Sequence, residues 1–310
     1  MRRTDEHDGD APGGDVVVGV CGARGGVGAS TFAAALARTR ARRPGRPVVL
    51  VDLDDSGGGV DVLLGIEDQP GLRWPDLRDA QGDVPAPAVL DLLPWWGDVR
   101  VLSTGCEGVD PRAREDVLAA LAAHAALVLD VPRPTPGQPW WGHACGALVV
   151  VARRDLQSVA GAQPVAALAA AHGTPTVLAL RGRAPAGLAA HDVRDALGLA
   201  DVVDVPTERA LPAAIERGIG PCGARLHRGA AAALGLIEHA VAGTGPLARG
   251  AAPGGAPGSL SVRAQRNGPA VGRGPAVANG TEHPATPARA WARATSSAAG
   301  PLAVPSGPPA

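Results

Sequence analysis

The sequence predicts an α/β protein with a doubly wound, mostly parallel sheet. Short apolar runs alternate with alanine-rich helical segments, which is typical of parallel strands covered by helices on both faces. The first apolar run enters a glycine-dense turn, and that turn opens directly into a helical pattern. Acidic residues follow two later runs, at the sheet edge where such folds bind ligands.

The apolar and helical patterns assign most of the elements. Strands are predicted at 16–20, 48–53, 99–102, 126–131, 147–152, 176–180 and 202–205. The first helix is predicted to start at Ser30 or Thr31 and to stop near Arg43, where proline and glycine follow. Later helices are predicted at about 112–124, 156–171, 191–197, 211–217 and 224–242. Between 56 and 77 the sequence predicts glycine turns and short helical patches, and a further segment follows at 91–96.

Composition divides the 310 residues into three parts. We expect a polar, disordered leader at 1–14, one folded domain at 15–244, and a disordered tail at 245–310. The tail is rich in Pro, Gly, Ala and Arg and has too few apolar clusters to bury a core. It carries several arginines, so at a total net charge of -1 the body is mildly acidic. Composition therefore gives no strong nucleic-acid signal.

Other sequence features bear on the compartment. The amino-terminal residues are too polar for a signal peptide, and no apolar run is long enough for a membrane span. The four cysteines are scattered, which favours reduced thiols over a disulfide or zinc site. The cysteines are Cys21, Cys106, Cys145 and Cys222. We therefore expect a cytoplasmic protein.

The stretch from Val16 to Arg38 predicts a phosphate-binding loop between a strand and a helix. Its glycines let backbone amides converge on a phosphate, and the helix that follows adds its N-terminal dipole. An ordinary glycine-rich turn is the alternative. A dinucleotide G-x-G-x-x-G pattern does not fit, because Thr31 stands at the third glycine position. A phosphate loop usually has a lysine just before its hydroxyl residue, and here that position holds Ala29 in a chain without lysine.

Three oxygen-bearing residues are candidate Mg²⁺ ligands. Ser30 stands where a phosphate loop places its metal-binding hydroxyl, although it could simply cap a helix. Asp52 and Asp130 end strands, so either could hold Mg²⁺ or orient an attacking water; solvated acids are the alternative. Asp54 and Asp55 are weaker candidates, because turns after strands recruit Asp in any case.

Three segments together carry a family resemblance: RGGVGAST, VVLVDLD and ALVLDVP. They are similar to the MinD/ParA family of deviant-Walker ATPases, P-loop NTPases of the SIMIBI class. Within that family the chain most resembles the CpaE/TadZ branch, in particular the septum-site-determining, CpaE-like proteins found beside Flp/Tad pilus and secretion genes. The similarity extends over about residues 15–242. It implies ATP and Mg²⁺ as cofactors and a nucleotide-dependent homodimer.

The resemblance also assigns roles by position. Arg24 stands at the signature lysine that reaches across the dimer, and Ala29 at the lysine that pairs with the β- and γ-phosphates. Asp52 and Asp54 match the catalytic acids, and Asp130 matches the Walker B-type acid. Arg181 or a neighbour stands where relatives read adenine with an Asn. The residues implied in nucleotide binding are Arg24, Gly25, Gly26, Val27, Gly28, Ala29, Ser30 and Thr31.

Loss of the phosphate-pairing lysine predicts ATP binding with weak or absent hydrolysis. The resemblance implies a positional scaffold for cell division or for Flp/Tad pilus and secretion assembly, working with proteins of those machineries and recruited to a pole or septum. An active ParA-type partition ATPase acting on nonspecific DNA is one alternative, and a pseudo-ATPase scaffold that binds no nucleotide is another.

Three further features relate to partners. CpaE-like proteins usually carry an amino-terminal receiver-like domain, and the residues before Val16 are too few for one, so we expect that it is lost or that the start codon is misassigned. A membrane-targeting helix like that of MinD-type relatives is not expected from the Gly/Pro-rich end. The pair Trp140 and Trp141 is predicted to pack in the core or a loop, with docking of a partner as the alternative.

Overall fold

The computed structural model describes residues 15–55, 57–103, 109–135, 140–184 and 187–243. The predicted leader at 1–14 and the predicted tail at 245–310 lie outside the described residues, as do position 244 and Cys106. The division into leader, domain and tail stays a prediction.

Within the described residues, eight strands form one sheet, in the order β3-β4-β2-β5-β1-β6-β7-β8. All neighbouring pairs are parallel except β3 and β4, which are antiparallel. The predicted doubly wound, mostly parallel fold is therefore confirmed. The strands are β1 (Val18–Gly22), β2 (Val48–Asp52), β3 (Trp95–Trp96), β4 (Val99–Leu102), β5 (Ala126–Val131), β6 (Ala147–Arg153), β7 (Thr176–Arg181) and β8 (Asp201–Val205).

Helices cover both faces of this sheet. They are α1 (Ala29–Ala41), α2 (Val60–Leu64), α3 (Ala86–Leu92), α4 (Pro111–His124), α5 (Leu156–Ala171), α6 (Ala190–Ala196), α7 (Leu211–Ile215) and α8 (Ala224–Gly243), with 3-10 turns at Trp74–Leu77 and Trp141–Ala144. Helix α2 and the first 3-10 turn lie in the region for which the sequence predicted short helical patches, whereas α3 was not predicted. The two-residue strand β3 was not predicted, because two residues carry no periodicity.

Two apolar clusters, one on each face, hold the layers together. In β2, Val49 and Val51 belong to one cluster and Val48 and Leu50 to the other, because successive side chains of a strand point to opposite faces. Helices α3 to α6 contribute to the first cluster, and α1, α2, α7 and α8 to the second. The strands therefore read as continuous apolar runs, as central parallel strands do.

Within the described residues, no helix is both long enough and apolar enough to cross a bilayer. The cysteines in this part of the chain, Cys21, Cys145 and Cys222, are free thiols.

Candidate functional site

The glycine-dense loop connects β1, which ends at Gly22, to α1, which begins at Ala29. Gly26 and Gly28 adopt left-handed backbone angles, with φ of 72° and 86°, a conformation that glycine reaches without steric cost. Gly28 is the N-cap of α1, so the first amides of the helix have no capping side chain. Such amides form an anion-binding end.

The start of α1 corrects one sequence expectation. The helix begins at Ala29, one residue before Ser30 and two before Thr31, the predicted starts. The helix-cap alternative for Ser30 is therefore wrong, since Gly28 occupies the cap position. The left-handed glycine turns the chain directly into the helix, and this turn could not be located from periodicity.

The guanidinium of Arg181 supports the loop from the end of β7. Its Nη1 donates to the carbonyl oxygens of Val27 at 3.0 Å and Gly28 at 3.1 Å. Burial lowers the pKa of Arg181, and the charge of Arg153 lowers it further. A Cβ on Gly28 would collide with the Arg181 guanidinium. Glycine at position 28 thus provides both the backbone angle and the space for this arginine.

Two acids stand side by side at the carboxyl edge of the sheet. Asp52, the last residue of β2, is the register partner of Asp130 in β5. Asp130 is 4% exposed. Burial, and after it the charge of Asp52, raise the pKa of Asp130 to about 7, although a hydrogen bond from the Ser30 hydroxyl acts to lower it. The structure therefore brings the three predicted Mg²⁺ ligands to one place.

The carboxylate of Asp52 also organises the loop that follows β2. Its Oδ1 accepts a hydrogen bond from the amide of Asp54 at 3.0 Å, and its Oδ2 accepts one from the amide of Val60 at 2.8 Å. The indole of Trp74 donates to the Asp52 carbonyl oxygen at 2.7 Å. This acid therefore folds the glycine-rich segment back onto the start of α2 while its side chain remains beside Asp130.

Arg24 lies on the opposite flank of the loop, against α5. Its Nε donates to Ser158 Oγ at 3.0 Å, and its Nη2 donates to Asp155 Oδ2 at 3.3 Å. Asp155 is itself the N-cap of α5, where it accepts from the Ser158 amide. The hydrogen bond from that amide is the main reason that the pKa of Asp155 is lowered. The side chain predicted to reach a dimer partner is thus held within its own chain.

These groups surround one cleft of about 930 Å³. Every predicted nucleotide-binding residue from Arg24 to Thr31 lines it, together with Asp52, Asp54 and Asp130. Ala29 contributes only a methyl group to the wall. The roles assigned to these residues remain predictions.

The donor chemistry around Ser30 suits a hard cation, because hydroxyl and carboxylate oxygens are the ligands that Mg²⁺ takes. In the part of the chain that the structure describes, no group of three or more His, Cys, Asp or Glu side chains could hold a metal ion.

The cleft also contains residues that the sequence analysis did not place in it. Arg114, Arg133 and Trp141 line it, and Arg114 bonds to Asp55. Arg114 lies in the first turn of α4, and the sequence predicted only a helix there, so no local sequence signal could have found it. Trp141 is buried and follows β5 across the proline-rich segment, part of which lies outside the described residues.

Trp95 and Trp96 pack against arginines. The guanidinium carbon of Arg38 lies 4.8 Å from the Trp96 ring centroid, and that of Arg100 lies 4.3 Å from the centroid of Trp95. Trp141 is buried and Trp140 is half-buried, which agrees with the predicted core or loop packing of this pair.

Comparison with solved structures defines the class of the fold. A ParA family ATPase from Chlorobium tepidum superimposes with a TM-score of 0.63 at 17% identity, over 72% of this chain and 99% of that one. MinD in the MinC:MinD cell division complex of Aquifex aeolicus gives 0.58 at 18% identity, over 71% and 96%. MinD with Mg-ADP from Pyrococcus horikoshii gives 0.56 at 18% identity, over 76% and 99%. The chain therefore has the P-loop NTPase fold of MinD/ParA ATPases.

Sequence comparison adds relatives of undefined role. The chain is 36% identical over 216 residues to uncharacterized proteins from two strains of Mycobacterium tuberculosis. The match covers 68% of this chain and 59% of each relative, so the chain spans about three fifths of the length of these relatives. No protein-family model matches the chain.

Proposed function

We propose that this protein binds ATP with Mg²⁺ in the cleft around the glycine loop and dimerises when loaded. In this proposal it is a CpaE/TadZ-like positional scaffold for septum placement or Flp/Tad pilus and secretion assembly, with weak or absent ATP hydrolysis. One observation carries the proposal: the start of α1, which has no capping side chain, lies beside two acids. Ser30 in its first turn is hydrogen-bonded to Asp130, and Asp130 is the register partner of Asp52. A phosphate and a divalent cation are the ligands that such a set of groups suits.

Ser30, Asp130 and Asp52 would hold the Mg²⁺ ion, with the phosphates and water completing its shell, as is usual for this ion. The bound ion would neutralise phosphate charge. The amides of the loop would bind the phosphates, and Arg181 would hold the loop in its left-handed turn. A proton on Asp130 would oppose metal binding, since a protonated carboxyl is a poor ligand.

Weak hydrolysis follows from Ala29. A lysine at this position places a cation on the phosphates as charge develops in the transition state, whereas a methyl group cannot. Removing one such group from a buried site typically lowers the rate about a hundredfold or more. Binding depends less on this cation, because loop amides and Mg²⁺ remain.

The relatives in solved structures support the proposal by analogy. One is a MinD protein solved with Mg-ADP, and another is MinD in complex with MinC. If this chain works similarly, Arg24 would leave Asp155 on dimerisation and contact the nucleotide of the partner subunit, since an arginine retains the charge of lysine and adds a planar fork.

Calorimetry with ATP and Mg²⁺, combined with the mass of the particle in solution, tests the proposal. We expect wild type to bind and to become a dimer, Arg24→Ala to bind without dimerising, and Ala29→Lys to do both. If wild type and Ala29→Lys show neither heat nor a dimer, nucleotide binding is excluded and a scaffold that binds no nucleotide remains.

A further inference from the structure

Arg114 is a buried cation in the wall of the candidate nucleotide cleft. We propose that Arg114 binds a phosphate group of the nucleotide and that it does so by exchanging its present partner, Asp55. This inference rests on the proposed function and assigns a phosphate ligand that the family resemblance does not supply. It would place a buried positive charge on the phosphates, although Ala29 stands where the usual lysine would be.

Two indole rings fix the guanidinium in place. Its central carbon lies 5.7 Å from the ring centroid of Trp74 and 5.8 Å from that of Trp141. Both distances are within the range of cation–π attraction. Arg114 is 3% exposed, so its charge is largely removed from water and needs a strongly bound anion.

The pairing with Asp55 leaves the guanidinium incompletely used. Nη2 alone contacts both carboxylate oxygens, at 2.7 Å each, whereas a paired fork uses two nitrogens. Nε is buried and has no hydrogen-bond partner among the described residues. A phosphate that replaces Asp55 could accept from Nη2 and also from the nitrogens that Asp55 does not engage.

Asp55 is suited to be displaced. Its side chain is 52% exposed although its partner is buried, so the carboxylate can return to water at little cost. It also begins the glycine-rich segment between β2 and α2, with Gly57, Gly58 and Gly59 lining the same cleft. Backbone rich in glycine has little steric resistance to rearrangement.

The other arginines of the cleft wall are less suited to this role. The described cations that line the cleft are Arg24, Arg114 and Arg133. Arg24 is bonded to Asp155 and Ser158, and Arg133 is exposed, where its charge is screened by water. Arg114 combines burial, contact with two indole rings and a place in the cleft wall, so its charge acts on a bound phosphate at low dielectric.

ATP affinity with Mg²⁺, measured by calorimetry on the full chain, tests the exchange. We expect Arg114→Gln to bind ATP about 10- to 100-fold more weakly than wild type, as for loss of a hydrogen bond to a charged group. Arg112→Gln is the matched control, because Arg112 is exposed and lies two residues earlier on α4. It should bind as wild type does.

Asp55→Asn removes the carboxylate that competes with phosphate for Arg114. Because Asp55 is an exposed side chain, this variant tests the exchange even if Arg114→Gln fails to fold. We expect Asp55→Asn to bind ATP several-fold more tightly, because the competing carboxylate is lost. Glu115→Gln is the control: it removes a negative charge from α4, the helix of Arg114, at a side chain that does not bond to Arg114. It should leave ATP affinity unchanged. In a folded Arg114→Gln background, the gain from Asp55→Asn should vanish.

The outcomes separate this inference from the proposed function. Wild type that binds ATP, with unchanged affinity in both Arg114→Gln and Asp55→Asn, overturns the role of Arg114 and leaves nucleotide binding intact. An equal gain in Asp55→Asn and Glu115→Gln also overturns it, because the effect is then one of general charge. Wild type that binds no ATP removes the proposed function, and this inference with it.

Discussion

Arg24 donates from Nη2 to the carboxylate of Asp155 across 3.3 Å, joining the phosphate loop to the first turn of α5. Both side chains are 35% exposed, and ion pairs at such sites contribute little net stability. The contact therefore positions Arg24, and breaking it would cost little free energy. In the proposed dimer, the same guanidinium would exchange Asp155 for a phosphate in the partner subunit.

Asp155→Asn tests this competition. Asparagine still caps α5 well but lacks the charge that holds Arg24. We expect the ATP-dependent dimer to form at a protein concentration up to about fivefold lower than in wild type, in line with the small value of exposed pairs. Sedimentation velocity with ATP and Mg²⁺ measures the shift. A weaker dimer in Asp155→Asn would mean that the pair with Asp155 helps Arg24 instead of restraining it.

Removal of the Arg181 side chain should loosen the phosphate loop. Arg181→Ala deletes two hydrogen bonds to carbonyl oxygens of the loop, and we expect a loss of about 1 to 3 kcal/mol in the free energy of unfolding together with weaker ATP binding. Urea unfolding and calorimetry measure the two effects. Arg183→Ala, an exposed position two residues later, is the matched control. Equal behaviour of the two variants would exclude a supporting role for Arg181.

The buried carboxyl of Asp130 predicts a dependence of stability on pH. Its pKa is raised from 3.8 to about 7, so between these values the native state holds a proton that the unfolded chain has released. Stability should therefore fall as the pH rises through this window, by at most about 1.4 kcal/mol per unit, and level off above about pH 7. Denaturant unfolding at a series of pH values measures how the free energy of unfolding changes across this window.

Asp130→Asn cannot ionise, so it should lose this part of the pH dependence and exceed wild type in stability above about pH 7. Asp83→Asn, at an exposed position, controls for the loss of a charge. An Asp130→Asn variant with the same pH profile as wild type would show that Asp130 does not carry the raised pKa.

A side chain at position 28 should damage the loop. Alanine would have to adopt a φ of 86°, which costs about 1 to 2 kcal/mol for an L-residue, and its Cβ would collide with Arg181. We expect Gly28→Ala to lower the free energy of unfolding by at least that amount. Gly25→Ala is the comparison, because a Cβ there meets nothing within 4 Å and its φ is not positive. Similar losses in both variants would contradict this explanation.

The sequence predicted the elements that repeat a pattern and missed those that depend on contacts. Strand β5 and helix α5 have their predicted bounds, because continuous apolar runs and alanine-rich periods locate buried strands and helices. The edge shared by Asp52 and Asp130 was also predictable, since parallel strands end together. The contact between Arg114 and Asp55, 59 residues apart, was not, because it arises only when the fold brings the first turn of α4 to the segment that follows β2.

Single-turnover ATP hydrolysis by wild type and Ala29→Lys, with Mg²⁺ and with enzyme in excess, tests the central claim most directly. Both proteins should bind ATP, and we predict that hydrolysis by Ala29→Lys is about a hundredfold or more faster than by wild type, because the lysine restores a cation where transition-state charge develops. Ala29→Arg tests whether any cation at this position suffices. Wild type that hydrolyses ATP as fast as Ala29→Lys would contradict the account.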